Sequence, residues 1–76
     1  MAEFELYGTA GCPYTREMRE WLEWNRREYV EFDVESDAAA RERMRAIDKS
    51  VRTVPVLVQD GKIVQIGFGG RGCIVA

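Results

Sequence analysis

The sequence Gly11-Cys12-Pro13-Tyr14-Thr15 decides the fold, because it stands between a predicted strand and a predicted helix. The preceding run, Phe4-Glu5-Leu6-Tyr7, alternates in the way of a β-strand. Pro13 suits the first position of a helix, which places Cys12 at the N-cap. A helix N-terminus lowers the pKa of a thiol and favours the reactive thiolate. The stretch therefore predicts a reactive cysteine at a strand-to-helix turn.

The rest of the chain alternates between helix and strand patterns. The helix after Cys12 is predicted to reach Arg27, with a buried stripe formed by Met18, Trp21 and Leu22. The remaining predicted elements are a strand over 29–34, a helix capped by Ser36 or Asp37 and ending at Asp48, a strand over 54–58, an Asp60-Gly61 turn, and a strand over 63–66. This order predicts an α/β fold, β-α-β-α-β-β, with a four-stranded mixed sheet and helices against it. The glycine-rich tail from Gly67 is predicted to be a loop.

Composition restricts the class of protein. The 76 residues allow one domain over 1–76, with 46% hydrophobic and 32% charged residues. A formal net charge of −2 gives no basic surface for nucleic acid and no polybasic membrane signal. No apolar run approaches the ~20 residues of a membrane span, and the first residues do not resemble a signal peptide. We therefore expect a monomer in the cytoplasm, where a pair of cysteines is more often catalytic or metal-binding than structural.

Cys12 is the predicted nucleophile. The sequence contains no histidine, so the activation of a cysteine has to come from a helix end, arginines or hydrogen bonds. As an N-cap, its sulfur is expected to accept hydrogen bonds from the amides of Tyr14 and Thr15, and the Thr15 hydroxyl is a further candidate donor. The alternative is a buried, inert cysteine, which rarely caps a helix directly before a proline. No residues are predicted to bind a metal.

Three elements together resemble the glutaredoxins, which have a thioredoxin-like fold. They are Cys12-Pro13-Tyr14-Thr15 after the first strand, Thr53-Val54-Pro55 opening the third strand, and Asp60-Gly61-Lys62 followed by the glycine-rich turn from Gly67. The resemblance covers nearly the whole chain. It implies that Pro55 is a cis-proline facing Cys12, and that the backbone beside it pairs with an extended thiol substrate.

Four departures from the glutaredoxin pattern affect the predicted site. Thr15 stands where two-cysteine members have a second cysteine, and Thr9 replaces a lysine often found before the reactive cysteine. The run Gly67-Phe68-Gly69-Gly70 replaces the family's glycine-glycine-cysteine-aspartate turn, and its Phe68 is similar to that of the family's thioredoxin-dependent members. The ending Gly70-Arg71-Gly72-Cys73 resembles that of very short glutaredoxin-like proteins with a single-cysteine motif. The family's last helix is expected to be missing or replaced by a short tail.

The resemblance also implies where a substrate such as glutathione would bind. The candidate substrate-binding residues are Arg52, Thr53, Val54, Pro55, Gly67, Phe68, Gly69 and Gly70. Arg52 is a candidate for pairing with a substrate carboxylate or is a solvated charge, and the glycine-rich run offers amides to an anion or is only a loop. Arg16 and Lys62 fit solvated surface charges better. Trp21 is expected in the core, and Trp24 is expected to be partly exposed.

Cys73 has three possible roles. By the resemblance, the turn after the last strand comes near the reactive cysteine, so Cys73 is a candidate resolving cysteine in place of Thr15. It is otherwise a free thiol or a packed tail residue. A bridge to Cys12 requires Cα atoms within about 7 Å.

The predicted function is that of a thiol-disulfide oxidoreductase. Cys12 attacks a disulfide or a glutathione mixed disulfide, and Cys73 or glutathione resolves the intermediate. Glutathione is the expected co-substrate, with no tightly bound cofactor. The partner is glutathione or a protein disulfide, and a thioredoxin-reductase-type donor is a further candidate. One alternative is a glutathione-assisted [2Fe-2S] carrier, for which thiolates are the expected ligands. Another is a binding module whose site is vestigial.

Overall fold

The computed structural model describes residues 2–75 and contains two helices and a four-stranded sheet. The elements are β1 (Phe4–Gly8), α1 (Pro13–Trp24), β2 (Tyr29–Asp33), α2 (Ala38–Ile47), β3 (Thr53–Val54), β4 (Val56–Gln59), β5 (Lys62–Ile66) and β6 (Cys73–Ile74). Neither helix of this described part has the length and apolarity needed to cross a membrane. Met1 and the last tail residue, Ala76, lie outside the described residues.

The four-stranded sheet has the strand order β2-β1-β4-β5. β1 is parallel to β2 and antiparallel to β4, and β5 continues β4 as an antiparallel hairpin. The hairpin turns at Asp60 and Gly61, whose φ angles of 54° and 75° suit the tight turn that Asp-Gly favours. This mixed sheet is the one that the order of the predicted elements implies.

The two helices cover opposite faces of the sheet. Leu6 belongs to a buried cluster with Met18 and Leu22 of α1, whereas its neighbour Tyr7 belongs to a cluster with Met44 of α2. Successive strand residues point to opposite faces, so α1 and α2 enclose the sheet from its two sides. The β1 end of the predicted site therefore lies in a sheet that is packed on both faces.

A polar and aromatic cluster fixes α2 to its face of the sheet. The Tyr7 and Phe32 rings stack with centroids 5.0 Å apart, and the Arg43 guanidinium lies 5.5 Å from the Phe32 centroid. Arg43 Nε donates to the Tyr7 hydroxyl (3.0 Å), and Arg43 forms an ion pair with Glu5. Burial, together with the Glu5 carboxylate, raises the pKa of Tyr7 above its ordinary value.

The first helix differs from its prediction at one end and on one face. It ends at Trp24 rather than Arg27, because Asn25 closes it by donating its amide and side chain to the Trp21 carbonyl, and Arg26 turns to a φ of 56°. The expectation that Trp21 is a core residue is wrong, since it is 45% exposed. Trp24 is 87% exposed, as the periodicity indicated. The buried face of α1 therefore includes Met18 and Leu22 but not the third apolar residue of the predicted stripe.

The predicted third strand is divided, and the predicted tail loop contains a strand. Pro55 interrupts the run, so Thr53–Val54 forms β3 and Val56–Gln59 forms β4. A proline cannot donate to a ladder, which separates the two strands. The tail returns across β3 and pairs with it as β6, in an antiparallel two-stranded sheet.

Candidate active site

Cys12 lies at the N-cap of α1 and is only 2% exposed. Its amide donates to the Thr9 carbonyl (3.3 Å) and its carbonyl accepts from the Arg16 amide (3.3 Å), so the backbone is held on both sides. Within residues 2–75 its sulfur makes none of the predicted hydrogen bonds to the amides of Tyr14 and Thr15. The reason is that the sulfur is bonded to Cys73.

Thr15 supports the loop before the cysteine. It is completely buried, and its hydroxyl oxygen accepts a hydrogen bond from the Thr9 amide at 3.4 Å. A Cβ built on Gly8 would overlap the Thr15 Cγ2 atom and lie 2.6 Å from its Oγ1 atom. Thr15 is therefore packed against the end of β1 and fixes the path of the chain from Gly8 to Cys12.

Cys73 is brought to Cys12 by the tail. A disulfide joins the two residues across 61 positions of sequence, with Cα atoms 6.1 Å apart. Cys73 lies in β6, where it is paired with Val54 of β3. The Val75 amide donates to the Arg52 carbonyl (2.7 Å), which continues the ladder by one more residue. The structure thus places the second thiol by strand pairing rather than by a neighbouring turn of α1.

The segment around Pro55 connects both sheets at the site. The Val54–Pro55 bond is cis, and both residues are fully buried. The Pro55 carbonyl accepts a hydrogen bond from the Gly67 amide (2.7 Å). Val54 shares a buried cluster with Cys12, and Cys73 packs against that cluster.

The glycine-rich run forms the turn that returns the tail to β3. Phe68 and Arg71 bridge each other, and the intervening Gly69 and Gly70 have φ angles of 62° and 78°. The Phe68 amide donates a hydrogen bond to the Arg71 carbonyl, and the Gly67 amide donates one to the Pro55 carbonyl. Of the four residues predicted to offer amides to an anion, Gly67 and Phe68 use theirs within the fold, and Gly69 and Gly70 are exposed at the tip.

Arg52 lines a groove of about 300 Å³ between α2 and the tail. Three further cations line the same groove, and the sequence patterns above did not single them out: Arg41, Arg45 and Lys49. A signal for two of them was present, because Arg41 and Arg45 are four residues apart and so share one side of α2, whereas Lys49 lies just after the helix. Apolar residues, among them Val75, form the rest of the lining.

The remaining charged residues to be placed are Arg16, Asp33 and Lys62. Arg16 borders a second, smaller cavity of about 150 Å³ that Cys12 and Pro13 also line. Asp33 is the last residue of β2, and hydrogen bonds from the amides of Ser36 and Glu35, with a weaker one from Ala10, lower the pKa of its carboxyl. Lys62 is the first residue of β5, next to the hairpin turn that joins β5 to β4.

Comparisons with known proteins show which family and which structures this chain is similar to. A family model described as Glutaredoxin matches residues 4–64. The chain is 34% identical over 64 residues to an uncharacterized glutaredoxin-like 8.6 kDa protein in a rubredoxin operon of Clostridium pasteurianum, covering 84% of this chain and 83% of that protein.

Two solved structures resemble this one closely. The thioredoxin-like protein BC3987 is 39% identical, with a TM-score of 0.71 over 80% of this chain and 82% of that one. A glutaredoxin from Archaeoglobus fulgidus is 26% identical, with a TM-score of 0.71 over 91% and 78% of the two chains. The predicted thioredoxin-like α/β fold is therefore confirmed.

Proposed function

Because the chain belongs to the glutaredoxin family, a family of thiol redox proteins, we propose that it is a thiol-disulfide oxidoreductase with Cys12 as nucleophile and Cys73 as resolving thiol. The observation that carries this proposal is the pairing of the only two thiols in the chain, one at a helix N-cap and the other on a strand beside it. The backbone of each cysteine is held by hydrogen bonds, which keeps the two sulfur atoms within bonding distance of each other.

The reaction has two thiol exchanges. The Cys12 thiolate attacks one sulfur of a substrate disulfide, forming a mixed disulfide and releasing the other sulfur as a thiolate. The Cys73 thiolate then attacks the Cys12 sulfur, which forms the Cys12–Cys73 bridge and releases the second substrate thiolate. The substrate gains two electrons and the protein loses two. The α1 N-terminus stabilises the Cys12 thiolate, which makes it available as the nucleophile of the first exchange.

A donor must reduce the bridge before the next cycle. Glutathione is the proposed co-substrate, and a reductase of the thioredoxin-reductase type is the other candidate donor. The proposed compartment is the cytoplasm, where thiols are kept reduced. No tightly bound cofactor is proposed, since the exchanges need only thiols.

The Cys12–Cys73 pairing favours this function over the iron-sulfur alternative. A bridging [2Fe-2S] cluster takes thiolate ligands, and a Cys12 sulfur bonded to Cys73 is not available as one. The same pairing argues against a vestigial site, because Cys12 has a partner for redox chemistry.

A disulfide reductase assay on three proteins tests the proposal: wild type, Cys12→Ser and Cys73→Ser. We expect Cys12→Ser to lower the rate by more than ~100-fold, because the hydroxyl replaces the only activated nucleophile. Cys73→Ser is expected to form the mixed disulfide at Cys12 with release of the first substrate thiolate, but to release the second one only when glutathione is supplied. Mass analysis of the trapped species locates the bond. Turnover by Cys12→Ser would refute the proposal.

A further inference from the structure

We propose that the substrate of Cys12 is an extended polypeptide segment with an acidic side chain two residues after its cysteine, and that it pairs with β3 in the place of β6. This inference rests on the proposed function and names the substrate class for the same site. Two observations carry it: the register of the tail on β3, and the charge of the groove into which the tail leads.

The tail occupies the edge of β3 in a single register. Cys73 is paired with Val54 and Ile74 with Thr53. The fit is close at Gly72, where an added Cβ would lie 2.5 Å from the Val54 carbonyl oxygen and 2.6 Å from the Thr53 Cγ2 atom. A peptide that adds to a strand edge uses the same backbone groups. A substrate in this register would present its own cysteine sulfur to Cys12.

The tail and the substrate must therefore alternate on β3. With β6 in place, Cys12 is 2% exposed and its sulfur is bonded to Cys73. In the reduced protein β6 leaves the edge, the substrate strand pairs, and Cys12 forms the mixed disulfide. When the Cys73 thiolate attacks the Cys12 sulfur, β6 returns to β3. The disulfide bond between Cys12 and the substrate then breaks, and β6 displaces the substrate strand from the edge of β3 in the same step.

The groove selects the residues that come after the substrate cysteine. Strand residues alternate between faces, and in the tail Ile74 is 77% exposed whereas Val75 lines the groove. The second residue after the cysteine is thus the one that enters the groove. Its cationic lining residues are Arg41, Arg45, Lys49 and Arg52, and within residues 2–75 none of them takes part in an ion pair. A carboxylate side chain at this position matches them in charge.

The same geometry favours a polypeptide over glutathione. In glutathione a single glycine follows the cysteine, so its carboxylate stands one residue short of the position that Val75 holds. The tail reaches the groove because its ladder continues for two residues beyond Cys73, to the hydrogen bond between the Val75 amide and the Arg52 carbonyl. A peptide chain reproduces this reach.

The test uses the Cys73→Ser protein, which has Cys12 as its one thiol, and two peptides activated as mixed disulfides with thionitrobenzoate. The peptides are acetyl-Gly-Gly-Cys-Ile-Glu-Gly-amide and its counterpart with Gln in place of Glu. Attack on the peptide sulfur releases thionitrobenzoate, which is followed by absorbance. We expect the Glu peptide to react about fivefold faster at low salt, and the ratio to approach one at roughly 0.5 M salt. Equal rates at low salt would overturn the proposal.

Two second-site variants locate the effect in the groove. Arg45→Gln in the Cys73→Ser background is expected to remove most of the preference for the Glu peptide. Arg26→Gln, at the far end of α1, is the matched control and keeps the preference. A preference that survives Arg45→Gln, or that Arg26→Gln reduces equally, contradicts recognition by the groove. Circular dichroism checks that both variants are folded.

A third variant tests the exchange of strands. Gly72→Val places a side chain against the Val54 carbonyl and loosens β6 without changing the groove cations. In the Cys73→Ser background it is expected to accelerate both peptides, whereas Val64→Ala, which alters an exposed side chain of β5 outside the β3–β6 pair, leaves the rates close to those of the parent. Unchanged rates in the Gly72→Val protein would mean that β6 does not compete with the substrate.

Glutathione disulfide separates the remaining outcomes. Its rate with Cys73→Ser is expected to be insensitive to Arg45→Gln. A fall as large as that of the Glu peptide would overturn the polypeptide class in favour of glutathione. If Cys12 reacts with every disulfide at the same rate, the substrate inference fails and the proposed function stands. If Cys12 reacts with none of them, the proposed function itself fails.

Discussion

Thr15 changes the environment of Cys12 at the scale of a single residue. The position would carry a second thiol in a two-cysteine site, but here it holds a buried side chain that packs on Gly8 and accepts the Thr9 amide. The loop before the nucleophile is therefore fixed by packing and by one hydrogen bond. The second cysteine of this chain, Cys73, lies in β6 instead.

Gly8→Ala is predicted to destabilise the protein by about 1–3 kcal/mol, because the new methyl group overlaps Thr15 in a closely packed site. Gly11→Ala is the matched control, because a Cβ added at Gly11 has no other atom of residues 2–75 in contact with it within 4 Å, its chain neighbours aside. Urea unfolding measures both. The double variant Gly8→Ala, Thr15→Ala is expected to recover part of the loss, and strictly additive effects would contradict the contact.

Asp33 organises the connection between two elements, β2 and α2. Its carboxylate accepts hydrogen bonds from the amides of Glu35 (2.9 Å) and Ser36 (3.1 Å). Asp37 then begins α2 by accepting from the amides of Ala39 and Ala40. The bonds to Asp33, that from Ser36 first, lower the pKa of its carboxyl below the ordinary value. The ionised form thus stabilises the turn that leads into the cationic side of α2.

Asp33→Ala is predicted to cost about 1 kcal/mol at pH 7, where both hydrogen bonds are present. Because the folded pKa is lowered, this stabilisation is complete above the unfolded pKa of about 4 and disappears as the pH falls through the folded pKa. Urea unfolding of wild type and variant at pH 7, 5 and 3 measures the difference. It should shrink between the last two values.

Asp33→Asn is the control for that experiment, since an amide oxygen keeps the turn but cannot titrate. Its stability relative to Asp33→Ala should not change with pH. A difference between wild type and Asp33→Ala that stays constant down to pH 3 would contradict the role of the charge.

The disulfide acts on the whole molecule. It closes a segment of 61 positions in a chain of 76 residues, so it restricts most of the unfolded chain. A domain of this size buries a modest core and is marginally stable. The redox state of the two cysteines is thereby linked to the stability of the fold.

Reduction is predicted to lower the free energy of unfolding by about 2–4 kcal/mol, because the unfolded chain gains the freedom that the bridge removes. Urea unfolding of the oxidised protein and of the protein in a phosphine reductant measures this difference. The Cys73→Ser variant should unfold like the reduced wild type and should not respond to the reductant. Identical unfolding midpoints for oxidised and reduced wild type would contradict the prediction.

Short-range patterns in the sequence predicted most of the elements and the position of the nucleophile. The alternation of β1, the Asp60-Gly61 turn and Pro13 after Cys12 are local signals, and each is found where the pattern indicated. The burial of Trp21 was predicted wrongly, because periodicity gives the direction of a side chain but not the width of the surface that covers it.

Residues distant in sequence decided what completes the site. The sequence alone determined a cysteine at a helix N-cap and the family to which the chain belongs, because both rest on short runs of residues, each of which is contiguous. Only the tertiary structure decided that β6 pairs with β3, that Cys73 stands opposite Val54, and that Arg52 shares a groove with two cations of α2 and with Lys49. These features depend on the path of the glycine-rich turn. Glycines allow this turn to take many conformations, and the close packing of the tail on β3 selects one of them.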